Sequence, residues 1–363
     1  MMTTATGPKV FGTGLIALDL VLGLDPGSPV GSWAGGTCGN VLSILAYLGW
    51  DAFPIARMSS DPASDRVRAD LARWGVHLDF VSCAPTAHTP IIIQEIKRGR
   101  DGKPKHRFSW SCPKCGRWLP PYKPVTTAAV EMVTPAMSGV SVFFLDRLSR
   151  AALTLAKAAA DRGALVMFEP SGKGDDRLMT DALGLAHVVK YADQRLASVH
   201  GLMADGTSTV LVVQTLGERG LRYRHRFGRS ASDWVHLDAV QAPRVADTCG
   251  AGDWSTAGFL AKAAARGLAG FRLLGARGVR SALRYGQALA AWNCGFEGAR
   301  GGMYAVAYEA FDAQIAALMR GRLHSLAGHV LEAQSAGLIA CPGCTPSDQA
   351  LRGAASKRKR TAA

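Results

Sequence analysis

Short continuous apolar runs alternate with segments of helix length along most of this chain, and that alternation restricts the fold more than any other feature. Lys9 to Leu15, Val140 to Leu145, Ala164 to Phe168, His187 to Lys190 and Thr209 to Gln214 are bounded by Gly or polar turns and read as buried strands. Arg150 to Arg162, between two of them, reads as a helix. Strands that alternate with helices build a mostly parallel sheet covered on both faces, which is the α/β class. At 363 residues the chain is long enough for one large domain of that class or two ordinary ones. A composition of 48% hydrophobic residues with 19% charged residues excludes wholesale disorder.

One region breaks the alternation. From His88 to Pro124 a strand-like TPIIIQEI leads into the basic, Gly-rich KRGRDGKPKHRF and then a stretch rich in Cys, Trp and Pro. It reads as an excursion from the sheet, a small β-lid. Beyond about residue 325 the periodicity fades, although His329 to Leu338 has the length of a short helix. The opening MMTTATGPKV lacks the charged leader and apolar core of a signal peptide, and no apolar run reaches the roughly 18 residues of a membrane span. A soluble, cytoplasmic protein is expected. The net charge of +14 suits an anionic partner such as a nucleotide. Part of that charge lies in Ser356 to Arg360, which reads as a solvated basic tail rather than a nucleic-acid contact.

The stretch that carries chemistry is Asp247-Thr248-Cys249-Gly250-Ala251-Gly252-Asp253, followed by the small, apolar helix pattern WSTAGFLAKAAARG. Small residues at a helix start let backbone N–H groups approach an anion, and the helix end adds about half a positive charge. Asp253 closes this loop, where a carboxylate would take the proton of a hydroxyl attacking a phosphoryl group. An isolated GxGD is better explained by a tight turn with an acidic residue at the helix start. The longer DTCGAGDWSTAGFL, however, resembles the C-terminal signature of the ribokinase-like PfkB carbohydrate kinases.

A second stretch, Gly35-Gly36-Thr37-Cys38-Gly39-Asn40 followed by VLSILAYLGW, is similar to the N-terminal signature of the same family. The resemblance implies a three-layer α/β/α sandwich with a small β-lid over residues 8–325, the lid drawn from about 15–34 and 88–124. A C-terminal extension, 326–363, would follow. It implies Asp253 as catalytic base and an anion hole made by the amides of Gly250, Ala251 and Gly252. It implies acceptor binding by Gly35, Gly36 and Asn40, and by Asp19, whose carboxylate can clamp two hydroxyls of a polyol. Val210 to Gly220, VLVVQTLGERG, resembles the family's nucleotide-bordering turn, so Thr215, Gly217 and Gly220 are candidate ATP contacts. Asn293, where relatives flank the adenine, joins them. The implied activity is transfer of phosphate from ATP, with Mg²⁺, to a hydroxyl of a sugar or nucleoside-like substrate, and the implied assembly is a homodimer through the lid.

The resemblance departs at two places. Family members often carry an Asn-x-x-Glu element that helps arrange Mg²⁺, and the aligned stretch here is HVVKYADQRL. Reading Lys190 as the strand end puts Ala192 and Arg195 at the Asn and Glu positions, with Asp193 nearby as a substitute. Where relatives have an Asp-Pro-Asn-Arg-like run, this chain has FEPSGKGDD, with Glu169 in the acidic position and Lys173 a candidate to meet a phosphate oxygen; neither is assigned to catalysis.

Two cysteine pairs are extra to the pattern: Cys112-Pro-Lys-Cys115 and Cys341-Pro-Gly-Cys344. Thiolates at i and i+3 on a turn can face one ion, and two such turns supply four ligands for a tetrahedral structural Zn²⁺. A redox dithiol and unrelated thiols are the alternatives. Cys38, Cys83, Cys249 and Cys294 read as small buried residues. The charge, the cysteine pairs and the altered Asn-x-x-Glu element also suit a catalytically weak, zinc-stabilised ligand sensor or nucleic-acid-associated module. The intact Asp253 and its glycines favour the enzyme.

Overall fold

The computed structural model describes residues 7–23, 30–84, 87–99, 104–113, 115–196, 202–203 and 207–326. Its strands, in chain order, are β1 (Lys9–Thr13), β2 (Ala17–Leu22), β3 (Gly31–Gly35), β4 (Asp51–Met58), β5 (Val81–Cys83), β6 (Ile91–Arg98), β7 (Pro104–Ser109), β8 (Val140–Leu145), β9 (Leu165–Phe168), β10 (Val188–Ala192), β11 (Leu211–Thr215), β12 (Leu221–His225) and β13 (Val235–Leu237). Nine of them form one sheet in the order β13-β12-β11-β10-β9-β8-β1-β4-β5. It is parallel from β5 to β11, and β12 and β13 add antiparallel strands at one edge.

Successive strand residues point to opposite faces, and the sheet uses both. Val10, Val142, Phe144, Met167, Val188 and Leu211 pack into one core with the helices Thr37–Tyr47, Ala251–Ala263 and Gly267–Asn293. Phe11, Phe143, Phe168, Val189 and Val212 pack into the other with the helices Arg150–Ala160 and Asp176–Leu185. The expected α/β architecture, a central sheet flanked by helices, is therefore present.

The remaining four strands form a separate sheet, β3-β2-β6-β7. Asp19 stands opposite Trp33 of β3 and Ile92 of β6, so these three side chains share a face. By the same alternation Phe108, paired with Gln94, and His106, paired with Ile96, lie on that face.

Three expectations are corrected. Strand β10 runs on to Ala192, so Lys190 is an interior residue of the strand rather than its end. Cys83, expected to be buried, is exposed at the sheet's edge strand, whereas Cys38, Cys249 and Cys294 are buried. Thr209 and Val210 precede the strand to which they were assigned. The expected helix at 329–338, the basic tail, Cys341 and Cys344 lie outside the described residues. Among the described residues no helix is long and apolar enough to cross a membrane.

Candidate active site

The parallel strands end on one side of the sheet, and there a cleft of about 2000 Å³ opens beneath the second sheet. This is where open α/β sheets present loops and helix N-termini to ligands. Asp19, Gly36, Asn40, Glu169, Lys190, Thr215 and the 248–253 loop all line it.

The loop is shaped by Gly250, which caps the helix Ala251–Ala263 in the left-handed region at φ 75°. A Cβ at this position would run into the Ala299 carbonyl, so glycine is required twice over. Ala251 N–H donates to the Thr248 carbonyl at 3.3 Å, and Trp254 N–H to Gly250 at 2.9 Å. Between them, the amides of Gly252 and Asp253 sit in the first turn, where N–H groups have no intrahelical acceptor. Asp247 anchors the loop. It is buried, and its carboxylate accepts from Cys249 N–H at 2.9 Å, Gly298 N–H at 3.0 Å and Gln94 Nε2 at 2.9 Å. Burial pushes its pKa up, but the bonds from His106, Cys249 and Gly298 outweigh that and hold it below the ordinary value.

Asp253 projects from the same turn and accepts a 2.7 Å hydrogen bond from Asn40 Nδ2. Its pKa is pushed up to about 7, first by burial and then by the Glu169 charge, against the lowering effects of Asn40, Lys190 and Arg195. Asp19, buried on β2, is likewise pushed up to about 7 by burial. Among the described residues, Asp19 Oδ1 and Asn40 Oδ1 are buried acceptors with no hydrogen-bond partner. Gly35 is not among the cleft-lining residues; a Cβ there would overlap the Asp19 carboxylate, so its bareness makes room for that side chain. Gly36, at φ 78°, starts the helix that carries Asn40. Beneath them, Arg300 Nη2 bonds Asp70 at 2.9 Å and the Ala34 carbonyl at 2.6 Å, and Ala34 N–H bonds Asp70 at 2.8 Å, tying β3 in place.

At the other end of the cleft, Thr215 ends β11, and Gly217 (φ 62°) and Gly220 (φ 91°) shape the turn into β12. All three line the cleft. Asn293 does not. It is fully buried, its Nδ2 donates to Ala299 at 3.1 Å and its Oδ1 accepts from Gly302 N–H at 3.1 Å. Its amide is spent on folding the turn after its helix, which corrects the expectation that it meets a nucleotide.

Sequence reasoning assigned no role to a third group. Lys190, with a side chain 4% exposed, bonds Glu169 Oε1 at 2.7 Å and the Gly252 carbonyl at 3.2 Å. Thr256 Oγ1 donates to Glu169 Oε2 at 2.7 Å. A Lys inside an otherwise apolar strand run was the available signal. The Arg300–Asp70 pair, 230 residues apart, had none.

The first cysteine pair sits at the end of β7. Cys112 N–H bonds the Arg117 carbonyl at 2.8 Å, Gly116 N–H bonds the Cys112 carbonyl at 2.9 Å, and Gly116 lies at φ 72°. Among the described residues no three His, Cys, Asp or Glu side chains are grouped to hold a metal ion.

The pfkB family carbohydrate kinase model matches residues 26–304. A fructokinase of Klebsiella pneumoniae is 28% identical over 253 residues, 64% of this chain and 78% of that protein. An ATP-dependent ribose-1-phosphate kinase of Halopiger xanaduensis is 26% identical over 292 residues, 76% and 86% of the two chains. Among solved structures, fructokinase with bound ATP from Xylella fastidiosa superposes with a TM-score of 0.66 at 20% identity, covering 86% of this chain and 98% of that one. Aminoimidazole riboside kinase from Salmonella enterica, complexed with aminoimidazole riboside and an ATP analog, gives 0.62 at 18%, with 86% and 99% covered. These structural likenesses identify the fold as ribokinase-like.

Proposed function

The chain belongs to the pfkB family of carbohydrate kinases, ATP-dependent phosphotransferases, and from that premise we propose that Asp253 is the general base that activates an acceptor hydroxyl on a sugar or nucleoside-like substrate. The observation that carries this reading is the Asn40–Asp253 hydrogen bond at the start of the helix Ala251–Ala263. It joins the acceptor end of the cleft to a carboxylate beside first-turn amides.

In this reading the acceptor oxygen attacks the terminal phosphorus of ATP and its proton passes to Asp253. The new O–P bond forms as the bond to the bridging oxygen breaks, and ADP leaves. The first-turn amides of Gly252 and Asp253 face the developing charge with no reorganisation, while Ala251, also expected in the anion hole, has its N–H directed to the Thr248 carbonyl. Thr215, Gly217 and Gly220 border the nucleotide. Asp19 Oδ1 and Asn40 Oδ1, buried without donors among the described residues, support an acceptor rich in hydroxyls. Gly36 and Gly35 hold those groups in position, and the four-stranded sheet serves as the lid.

Mg²⁺ enters this reading only as the partner of the ATP phosphates. Of the carboxylates flanking the loop on the strand side, Glu169 is held in a buried pair with Lys190 and does not fit as an open metal ligand, whereas Asp193 pairs with the exposed Arg219 at 2.8 Å, a contact weak enough to yield to hydrated Mg²⁺. A structural Zn²⁺ on Cys112, Cys115, Cys341 and Cys344 is a separate proposal, supported by the tight turn at the first pair. Purified protein should hold one zinc per chain, lost in Cys112→Ser; metal-free, folded protein would refute it.

The deciding experiment measures ADP formation across free sugars, sugar phosphates and nucleosides, with fructose, ribose 1-phosphate and aminoimidazole riboside first in the panel. Acceptor-dependent turnover that collapses in Asp253→Asn supports the reading. Undiminished turnover in that variant refutes the assigned base. Folded protein with no turnover but salt-sensitive nucleic-acid binding favours the sensor instead.

A further inference from the structure

Below the 248–253 loop lies a buried pair of opposite charges that the reaction, as described, does not use. Lys190 comes from the middle of β10 and Glu169 from the residue after β9, with side chains 4% and 15% exposed. Taking both charges out of water is expensive, and an apolar pair of similar volume would cost the fold less. Stability alone therefore gives no reason for the pair.

Its contacts do. The ammonium reaches the Gly252 carbonyl at 3.2 Å, and Thr256, one turn further along the same helix, donates to the other Glu169 oxygen at 2.7 Å. The peptide between Gly252 and Asp253 is planar and trans, so fixing the carbonyl in one direction fixes the Asp253 N–H in the opposite one. Pinned from below, the first turn keeps its amides aimed into the cleft.

The charged and titratable groups that face Asp253 come from every side. Glu169 approaches from the end of β9, Lys190 from the middle of β10 and Arg195 from just beyond it, Asn40 and Cys38 from the helix Thr37–Tyr47, and Cys249 from its own loop. Glu169 is the acidic one that raises its pKa, and Lys190 and Arg195 lower it.

We propose that Lys190 and Glu169 are positioning residues for phosphoryl transfer: the buried ammonium braces the Gly252 carbonyl so that the Asp253 N–H faces the cleft, and the carboxylate, tied to Thr256 of the same helix, holds that ammonium in place and sets the charge beside Asp253. The inference rests on the reading of Asp253 as base, and its test separates the two.

The Asp253 carboxyl is titrated directly by ¹³C NMR of full-length protein labelled at aspartate, its signal assigned as the one missing from Asp253→Asn. Glu169→Gln is expected to lower the midpoint by about one unit or more, and Lys190→Met to raise it by a similar amount. If Lys190→Met fails to fold, Glu169→Gln and the neutral double variant carry the test. Turnover of the double variant, measured at a pH where Asp253 is ionised in both proteins, should fall about tenfold or more, with the KM for acceptor little changed. An unmoved midpoint in folded Glu169→Gln overturns the carboxylate's role. Wild-type turnover in the folded double variant overturns the brace. Full activity of Asp253→Asn would instead sink the base assignment, and the titration would still read whether Glu169 controls that carboxyl.

Discussion

Asp253 shows how a buried carboxylate is kept at a cost to the fold. Its pKa in the folded chain is raised from 3.8 to about 7, so the ionised form is disfavoured by folding. For an acid shifted in this direction the penalty is absent below about pH 4, grows as the unfolded chain ionises, and is complete above pH 7. Asp253→Asn is accordingly expected to melt higher than the parent at pH 8, by roughly 1–2 kcal/mol, with the gain vanishing towards pH 4. Its turnover should fall by about 10²–10⁴. Calorimetry at the two pH values and a coupled ADP assay check both; a variant less stable at pH 8 would show that Asn40 and the nearby cations already neutralise the charge. The residue was legible in the sequence because the loop amides and the carboxylate lie within seven consecutive positions. Asn293 was misread for the complementary reason: an amide's position along a helix does not say which backbone groups its two ends will meet.

At the scale of elements, the placement of the Asp253 helix depends on how closely it meets the next one. Gly258 and Gly286 face each other: a Cβ on Gly258 would lie 2.9 Å from the Gly286 Cα, and one on Gly286 would run into the Ser255 carbonyl. Small residues let the backbones approach, which sets the height of the helix N-terminus above the sheet. Gly286→Ala should therefore cost about 1–3 kcal/mol in urea unfolding and lower turnover, since the helix must move to admit the methyl group. Unchanged stability would mean that the crossing relaxes without strain. The second sheet is set by register in the same way. Pairing of Asp19 with Trp33 and Ile92 brings one carboxylate and two apolar side chains to the cleft, whereas a slip of one residue would turn them away. The strand-like TPIIIQEI was readable as a strand, but not its parallel partner, β2, more than 60 residues earlier, because pairing between distant segments leaves no local pattern.

The whole molecule concentrates buried acids around the cleft. Asp19 and Asp253 are raised to about 7 and Asp146, also by burial, to about 6, all from 3.8. Each penalises the ionised fold, so the stability of the unliganded chain should decline from about pH 4 to about pH 7, and a hydroxyl-bearing acceptor should recover part of the loss by bonding Asp19. Urea midpoints across that range, with and without acceptor, test this; a flat profile would mean that other groups compensate. The sequence by itself determined the class of the fold, since alternating buried strands and helices have few ways to cover both faces of a sheet. It also marked out the candidate anion-binding loop, since that device needs only glycines, a helix start and an acid in a row. Only the tertiary structure decided which side chains serve that loop. Asn40 meets Asp253 across 213 positions, Lys190 meets Gly252 across 62, and Arg300 meets Asp70 across 230. The partner of a buried polar group is chosen by which elements pack against it, and spacing along the chain carries no trace of that choice.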